Sequence, residues 1–176
     1  MKEEKKKIIK DILGSMILSM DEFCGDVSIE VPREHIIHAL TALKADKGLK
    51  FNFLSDLFAV DNLKYEKKSK EDEDAPSGPR FEVVYLLLSL DDNERLQVKT
   101  RVPEDDLKVP SATSLWRAAT WPEREAFDMY GIKFDGHHDL RRLLMWDEFE
   151  AHPLRKDYPL EGMEEERPLV FEEDFF

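Results

Sequence analysis

Apolar residues recur along the chain with different periods, and each period predicts an element. Ile8, Ile9, Ile12, Leu13, Met16, Ile17 and Met20 fall at helical spacing and make one apolar stripe on an otherwise charged helix. Lys5, Lys6 and Lys7 cluster at its start instead of lining the polar face, so the stripe is expected to pack on a domain core rather than lie on a membrane. Val27 to Val31 alternates apolar and polar and reads as a short strand. Pro32 suits a helix start, and Ile36, Ile37, Leu40 and Leu43 form a second stripe that ends near Gly48. Leu49 to Leu63 starts as a strand and is expected to contain a helical turn before Phe58-Ala59-Val60. Phe81 to Leu90 is apolar on both faces, as for a central strand covered on two sides. After the turn DDNE, Leu96, Val98, Thr100 and Val102 alternate with Arg95, Gln97, Lys99 and Arg101, which predicts an antiparallel hairpin. The order indicates an α+β fold, with helices packed on a mostly antiparallel sheet of about four strands.

Between the strands lies KYEKKSKEDEDAPSGPR, whose charges, prolines and glycine predict an exposed loop. From Pro103 the character changes. Ser111 to Thr120 is expected to be a short helix that stops before Pro122, and Pro122 is placed to open a new one. Glu123 and Glu125 would occupy its first turn, Arg124 and Asp128 would pair along one face, and Gly131 would end it. The expected organisation is an α+β domain over residues 1–110, signature helices with an extended segment over 111–160, and an acidic tail over 161–176.

A chain of 176 residues suits one domain with tails, and 39 acids against 26 bases leave 13 net negative charges. Phosphate backbones repel such a chain, so nucleic acid is excluded as a partner class. Cys24 is the single cysteine, which excludes an internal disulfide and a four-cysteine cluster held by this chain alone. No secretory signal and no run long enough to span a bilayer is expected.

Residues 121–144, WPEREAFDMYGIKFDGHHDLRRLL, crowd acids, bases and rings into a stretch that resembles an active site. Glu123, Glu125 and Asp128 are candidate acids, and His137, His138 and His152 candidate ligands, as are His35 and His38 on the second helix. Adjacent side chains of an extended segment point opposite ways, which argues against His137 and His138 sharing an ion. Nucleotide, metalloprotease and nucleophile-elbow motifs are all lacking. Arg124, Arg141, Arg142, Arg155 and Lys156 alternate with Asp128, Asp135, Asp139, Asp147 and Asp157, and Trp121, Tyr130, Phe134, Trp146, Phe149 and Tyr158 are threaded among them. Arginines and aromatics are the types that anchor interfaces.

WPEREAFDMYGIKFDGHHDLRRLL followed by HPLRKDYP resembles the signature of the C subunit of respiratory complex I, the proton-pumping NADH:quinone oxidoreductase. FEVVYLLLSL, VPEDDLKVPS and SLWRAATW extend the likeness over roughly the last two thirds of the chain, excluding the tail. His138 stands where the family usually has proline, and Ala151 where it usually has glycine, both of which bear on local turns. The resemblance implies a peripheral-arm subunit that binds no cofactor, while FMN, iron–sulfur clusters and quinone reside on other subunits of the complex. It implies partners in the quinone-site (D) subunit and the iron–sulfur (B and I) subunits, at the cytoplasmic face of the membrane. It further implies a partner interface made by Trp121, Glu123, Arg124, Glu125, Asp128, Tyr130, Arg141, Arg142, Arg155, Lys156, Asp157 and Tyr158. Related complexes that use deazaflavin or ferredoxin, and membrane-bound hydrogenases, carry a similar subunit. The tail sets seven acids against Arg167, and Phe171, Phe175 and Phe176 suit it to docking.

Overall fold

The computed structural model describes residues 3–63 and 79–163. The loop expected at residues 64–78 and the tail from residue 164 lie outside them. Helix α1 (Glu3–Leu13) is followed by strands β1 (Ser19–Phe23) and β2 (Asp26–Glu30), helix α2 (Ile36–Ala45), and strands β3 (Phe53–Asp61), β4 (Phe81–Ser89) and β5 (Glu94–Val102). Strand β6 (Lys108–Pro110), helix α3 (Thr120–Tyr130) and strand β7 (Lys133–Asp135) complete the order.

The main sheet has five strands, not four, in the order β1-β2-β5-β4-β3. Three of its pairings are antiparallel, and β2 runs parallel to β5. Because side chains alternate, Val27, Ile29, Phe81, Val83, Tyr85, Leu87, Leu96 and Val98 share one face, and all are buried. Ile9 and Leu13 of α1, Ile36, Leu40 and Leu43 of α2 and Ala126 of α3 pack onto them in one core. The opposite face carries the Glu30–Arg101 ion pair, at 3.0 Å, and the half-buried Leu86 and Leu88. Strand β4 is therefore covered fully on one face and partly on the other.

Helix α1 does pack on the core, but it stops at Leu13. Lys5, at its start, is buried and pairs with Asp92 at 2.8 Å and Glu94 at 3.0 Å. Gly14 adopts φ 50° and breaks the stripe, so Ser19 to Phe23 forms the edge strand β1 instead of a last helical turn. Strand β3 is continuous, without the expected helical turn. A bulge between Leu54 and Asp56 shifts its alternation, so Leu54 and Leu57, three apart, both point inward.

The core continues past residue 110. Val109 and Ala112, then Trp116, Ala119, Ile132 and Phe134, belong to the same cluster as the sheet. Strands β6 and β7 pair in parallel and bring both ends of α3 back to the domain.

Candidate functional site

The signature winds around helix α3. Ser111 to Trp116 forms turns, not the expected short helix, and a 3-10 turn at Arg117–Ala119 runs directly into α3. Pro122 sits inside its first turn, where an N–H would have no intrahelical partner, so it does not divide the helix. Gly131 ends it in the left-handed conformation, φ 82°, with its N–H on the Phe127 carbonyl at 2.9 Å.

Glu123 points into the core and is fully buried. One carboxylate oxygen accepts the Ser111 hydroxyl and the other the Ala112 N–H, each at 2.7 Å. Burial pushes its pKa up to about 7, against the opposing pull of those two bonds. A carboxyl poised near neutrality is a common general base, but this one has no exposed surface for a substrate to reach. Glu125, beyond the first turn, is exposed.

Arg124 and Asp128 do not pair with each other. Each reaches across to the segment that follows β7. Arg124 donates to the carbonyls of Arg141, at 3.1 Å, and Arg142, at 2.8 Å. One oxygen of Asp128 gathers the N–H groups of Leu143, Leu144 and Met145 at 2.7–2.9 Å, and the other takes Arg142 at 2.6 Å. Burial would raise the Asp128 pKa, but those bonds outweigh it and hold the carboxyl below its ordinary range. Each long side chain thus satisfies polar groups that irregular backbone would otherwise leave orphaned.

HPLRKDYP supplies the other end. The last carbonyls of a helix have no partners within it. The ring nitrogen Nδ1 of His152 lies 2.9 Å from the Asp128 carbonyl, the Leu154 N–H donates to Met129 O at 3.2 Å, and Arg155 Nε donates to Tyr130 O at 2.8 Å. His152 is kept neutral chiefly by burial, which lowers its pKa. Gly131 is needed here for space as well as backbone shape, since a Cβ would lie 2.6 Å from His152 Nε2.

Beyond the helix, Arg80 and Arg155 both lie over the Phe81 ring, at 4.8 and 5.3 Å, while Tyr130 meets it edge-on. Trp146, Phe149 and Tyr158 form a small aromatic cluster, with Arg142 over the Phe149 ring. The expected interface residues therefore divide. Glu123, Arg124, Asp128, Arg142 and Arg155 engage their polar atoms on their own chain, and Glu123 and Asp128 have no surface left to offer. Trp121, Glu125, Arg141, Lys156 and Asp157 are exposed, and Tyr130 and Tyr158 are half-buried. Two contributors not singled out from the sequence are Asp61 and Arg80, whose only signal was a buried-type position at the end of an apolar strand and an arginine before another.

His137 and His138 do not point apart. Their rings stack at 5.0 Å and 7°, because Gly136, at φ 87°, turns the chain there instead of extending it. The Asp139 N–H donates to His137 Nδ1, which leaves the proton on Nε2 for the Thr120 carbonyl at 3.1 Å. His35, at the end of the 3-10 turn before α2, and His38, on α2, are exposed. Among the described residues, no three His, Cys, Asp or Glu side chains converge as metal ligands, and no helix is long and apolar enough to cross a membrane.

Residues 29–164 match the family model described as respiratory-chain NADH dehydrogenase, 30 Kd subunit. The C subunit of NADH-quinone oxidoreductase from Citrifermentans bemidjiense is 42% identical over 158 residues, covering 90% of this chain and 89% of that protein. The corresponding protein of Geobacter sulfurreducens, named likewise, is 38% identical over 168 residues, covering 94% and 96%. Among solved structures, a trypsin-resistant fragment of Nqo5 superposes with a TM-score of 0.64 at 32% identity, over 77% of this chain and 98% of the fragment. A protein of an archaeal respiratory membrane complex, the membrane-bound sulfane sulfur reductase, shares the fold with a TM-score of 0.69 at 24% identity, over 90% and 87%.

Proposed function

Because the chain belongs to the family of the 30 Kd subunit of respiratory-chain NADH dehydrogenase, we propose that it serves as a non-catalytic, peripheral-arm subunit of a proton-translocating NADH:quinone oxidoreductase. Its work is to scaffold its neighbours. FMN, iron–sulfur clusters and quinone are held by other subunits, and residues 111–160 meet the quinone-site (D) subunit and the iron–sulfur (B and I) subunits. The chain sits at the cytoplasmic face of the membrane and is held there through the complex.

One observation carries this reading. Glu123, Arg124, Asp128, Arg142 and Arg155, which look catalytic or interfacial in the sequence, are engaged in folding the signature around α3, and among the charged residues it turns outward stand large apolar side chains. Trp121 is 66% exposed, Leu144 63%, Leu154 48% and Met163 55%. An exposed tryptophan and large exposed aliphatics beside exposed Arg141 and Lys156 have the composition of a surface made for burial against another protein. The relatives at 42% and 38% identity are named for NADH and quinone, which favours that donor and acceptor over deazaflavin, ferredoxin or hydrogen.

The test is extraction of native membranes in mild detergent, purification through a tag on this chain, and mass spectrometry of what accompanies it. Iron–sulfur and quinone-site subunits are expected, together with the NADH-binding subunit. Elution of the chain alone, or turnover by the chain alone, would overturn the proposal.

A further inference from the structure

The segment after β7, residues 139–163, leaves α3 and crosses back over the ends of β3 and β4, where it meets a buried pair that the helix does not need. Asp61, the last residue of β3, is bidentate with Arg80, at 2.8 and 3.0 Å, and its side chain is fully buried. Both partners have bonding capacity beyond one another. Asp61 Oδ2 also accepts the backbone N–H of Lys156 at 2.8 Å. Arg80 also grips both oxygens of Asp157, at 2.7 and 3.1 Å, and Glu104 at 2.6 Å. Between these contacts Arg155 caps α3 and covers the Phe81 ring. Lifting the segment would strip the Lys156 N–H from a buried carboxylate, remove a bidentate partner from a buried guanidinium and uncover an apolar ring. Each loss is costly in a poorly solvated site.

We infer that residues 139–163 form a strap that closes on its own domain before any partner binds, and that Asp61 and Arg80 are its latch. Two fixtures on α3 hold the near part, Asp128 through the Leu143–Met145 amides and the helix end through His152 and Arg155. The latch fixes where the far part departs. A partner then meets a preformed surface and does not have to order the strap as it docks, which lowers the entropic cost of association. Asp157, expected from the sequence to face a partner, belongs instead to the latch. Only the identity of what meets the outer side of the strap rests on the proposed function.

Hydrogen exchange of the purified full-length chain, without partners, tests this. The amides of Leu154 and Lys156 should exchange far more slowly than in an unstructured peptide. In Asp61→Asn protection of residues 154–157 should fall by about tenfold or more, the scale of one buried charge-assisted hydrogen bond, and in the milder Asp157→Asn, at an exposed side chain, by about two- to fivefold. Strands β4 and β5 should keep their protection. Free exchange of these amides in the wild-type chain would show an open strap and overturn the inference. Unchanged protection in Asp157→Asn would also overturn the latch, and that variant decides alone if Asp61→Asn loosens the sheet. A closed strap in a chain that co-purifies with no oxidoreductase subunit would leave this inference standing and remove the proposed function.

Discussion

Glu123 offers a prediction whose size follows from the structure. Its carboxyl is fully buried, and burial raises its pKa from an ordinary 4.5 to about 7. The sign follows from which state holds the proton. Between those two values the folded chain keeps it and the unfolded chain releases it, so stability falls as pH rises through that window and levels off above it. The full rise corresponds to about 3 kcal/mol, of which about 2 kcal/mol develops between pH 5.5 and pH 8. Glu123→Gln cannot ionise. Its carbonyl can still accept the Ala112 N–H, and its amide can donate to Ser111 Oγ, so both contacts survive with the direction of one reversed. Urea unfolding of the purified chain, followed by the fluorescence of buried Trp116, should show Glu123→Gln gaining about 2 kcal/mol relative to wild type between the two pH values. Glu123→Ala should be less stable than the Gln variant at both, because it abandons two buried donors. Parallel pH profiles for wild type and Glu123→Gln would refute the claim that a buried carboxyl of raised pKa clamps the start of α3.

Three further outcomes follow. Asp128→Asn should release the near part of the strap at a cost of about 3 kcal/mol, because one amide cannot replace an acceptor of three N–H groups and an arginine. The depressed pKa of Asp128 makes its contribution present above about pH 4 and lost as pH falls through the folded value, so acid titration should show a slope in wild type that the variant lacks. Gly131→Ala should lower the melting temperature, with about 1–2 kcal/mol from the left-handed backbone and more from displacing His152 and Arg155. Trp121→Ala should leave the isolated chain as stable as wild type to within about 0.5 kcal/mol, while reducing recovery of the assembled complex.

Much of the fold was legible in the alternation of residues. Val27–Val31 and the strand from Glu94 read as strands because a single buried face imposes period two, and Phe81–Leu90 because its apolar run suits a central strand covered on both faces. Strand β1 did not, because Ser19–Phe23 is a polar edge with no fully buried position. Strand β3 misled for a specific reason, since its bulge converts alternation into a spacing of three that mimics a helix. In the signature, Gly131 could be recognised as a cap from its place after the periodic residues, but the partners of Arg124 and Asp128 could not. Helix geometry permits their pairing at four residues' spacing, and only the returning chain reveals that both are used up on backbone groups of the strap. The density of charge that suggested catalysis is the cost of folding an irregular segment, whose N–H and C=O groups must find partners without a helix or sheet to supply them.

The most direct measurement is made on cells lacking this chain. Membranes are resolved on a native gel, and NADH:quinone activity is assayed alongside. The expected result is loss of both the assembled oxidoreductase and its activity, with restoration of both by the wild-type chain. An intact, active complex in cells without the chain would contradict its role as a scaffold.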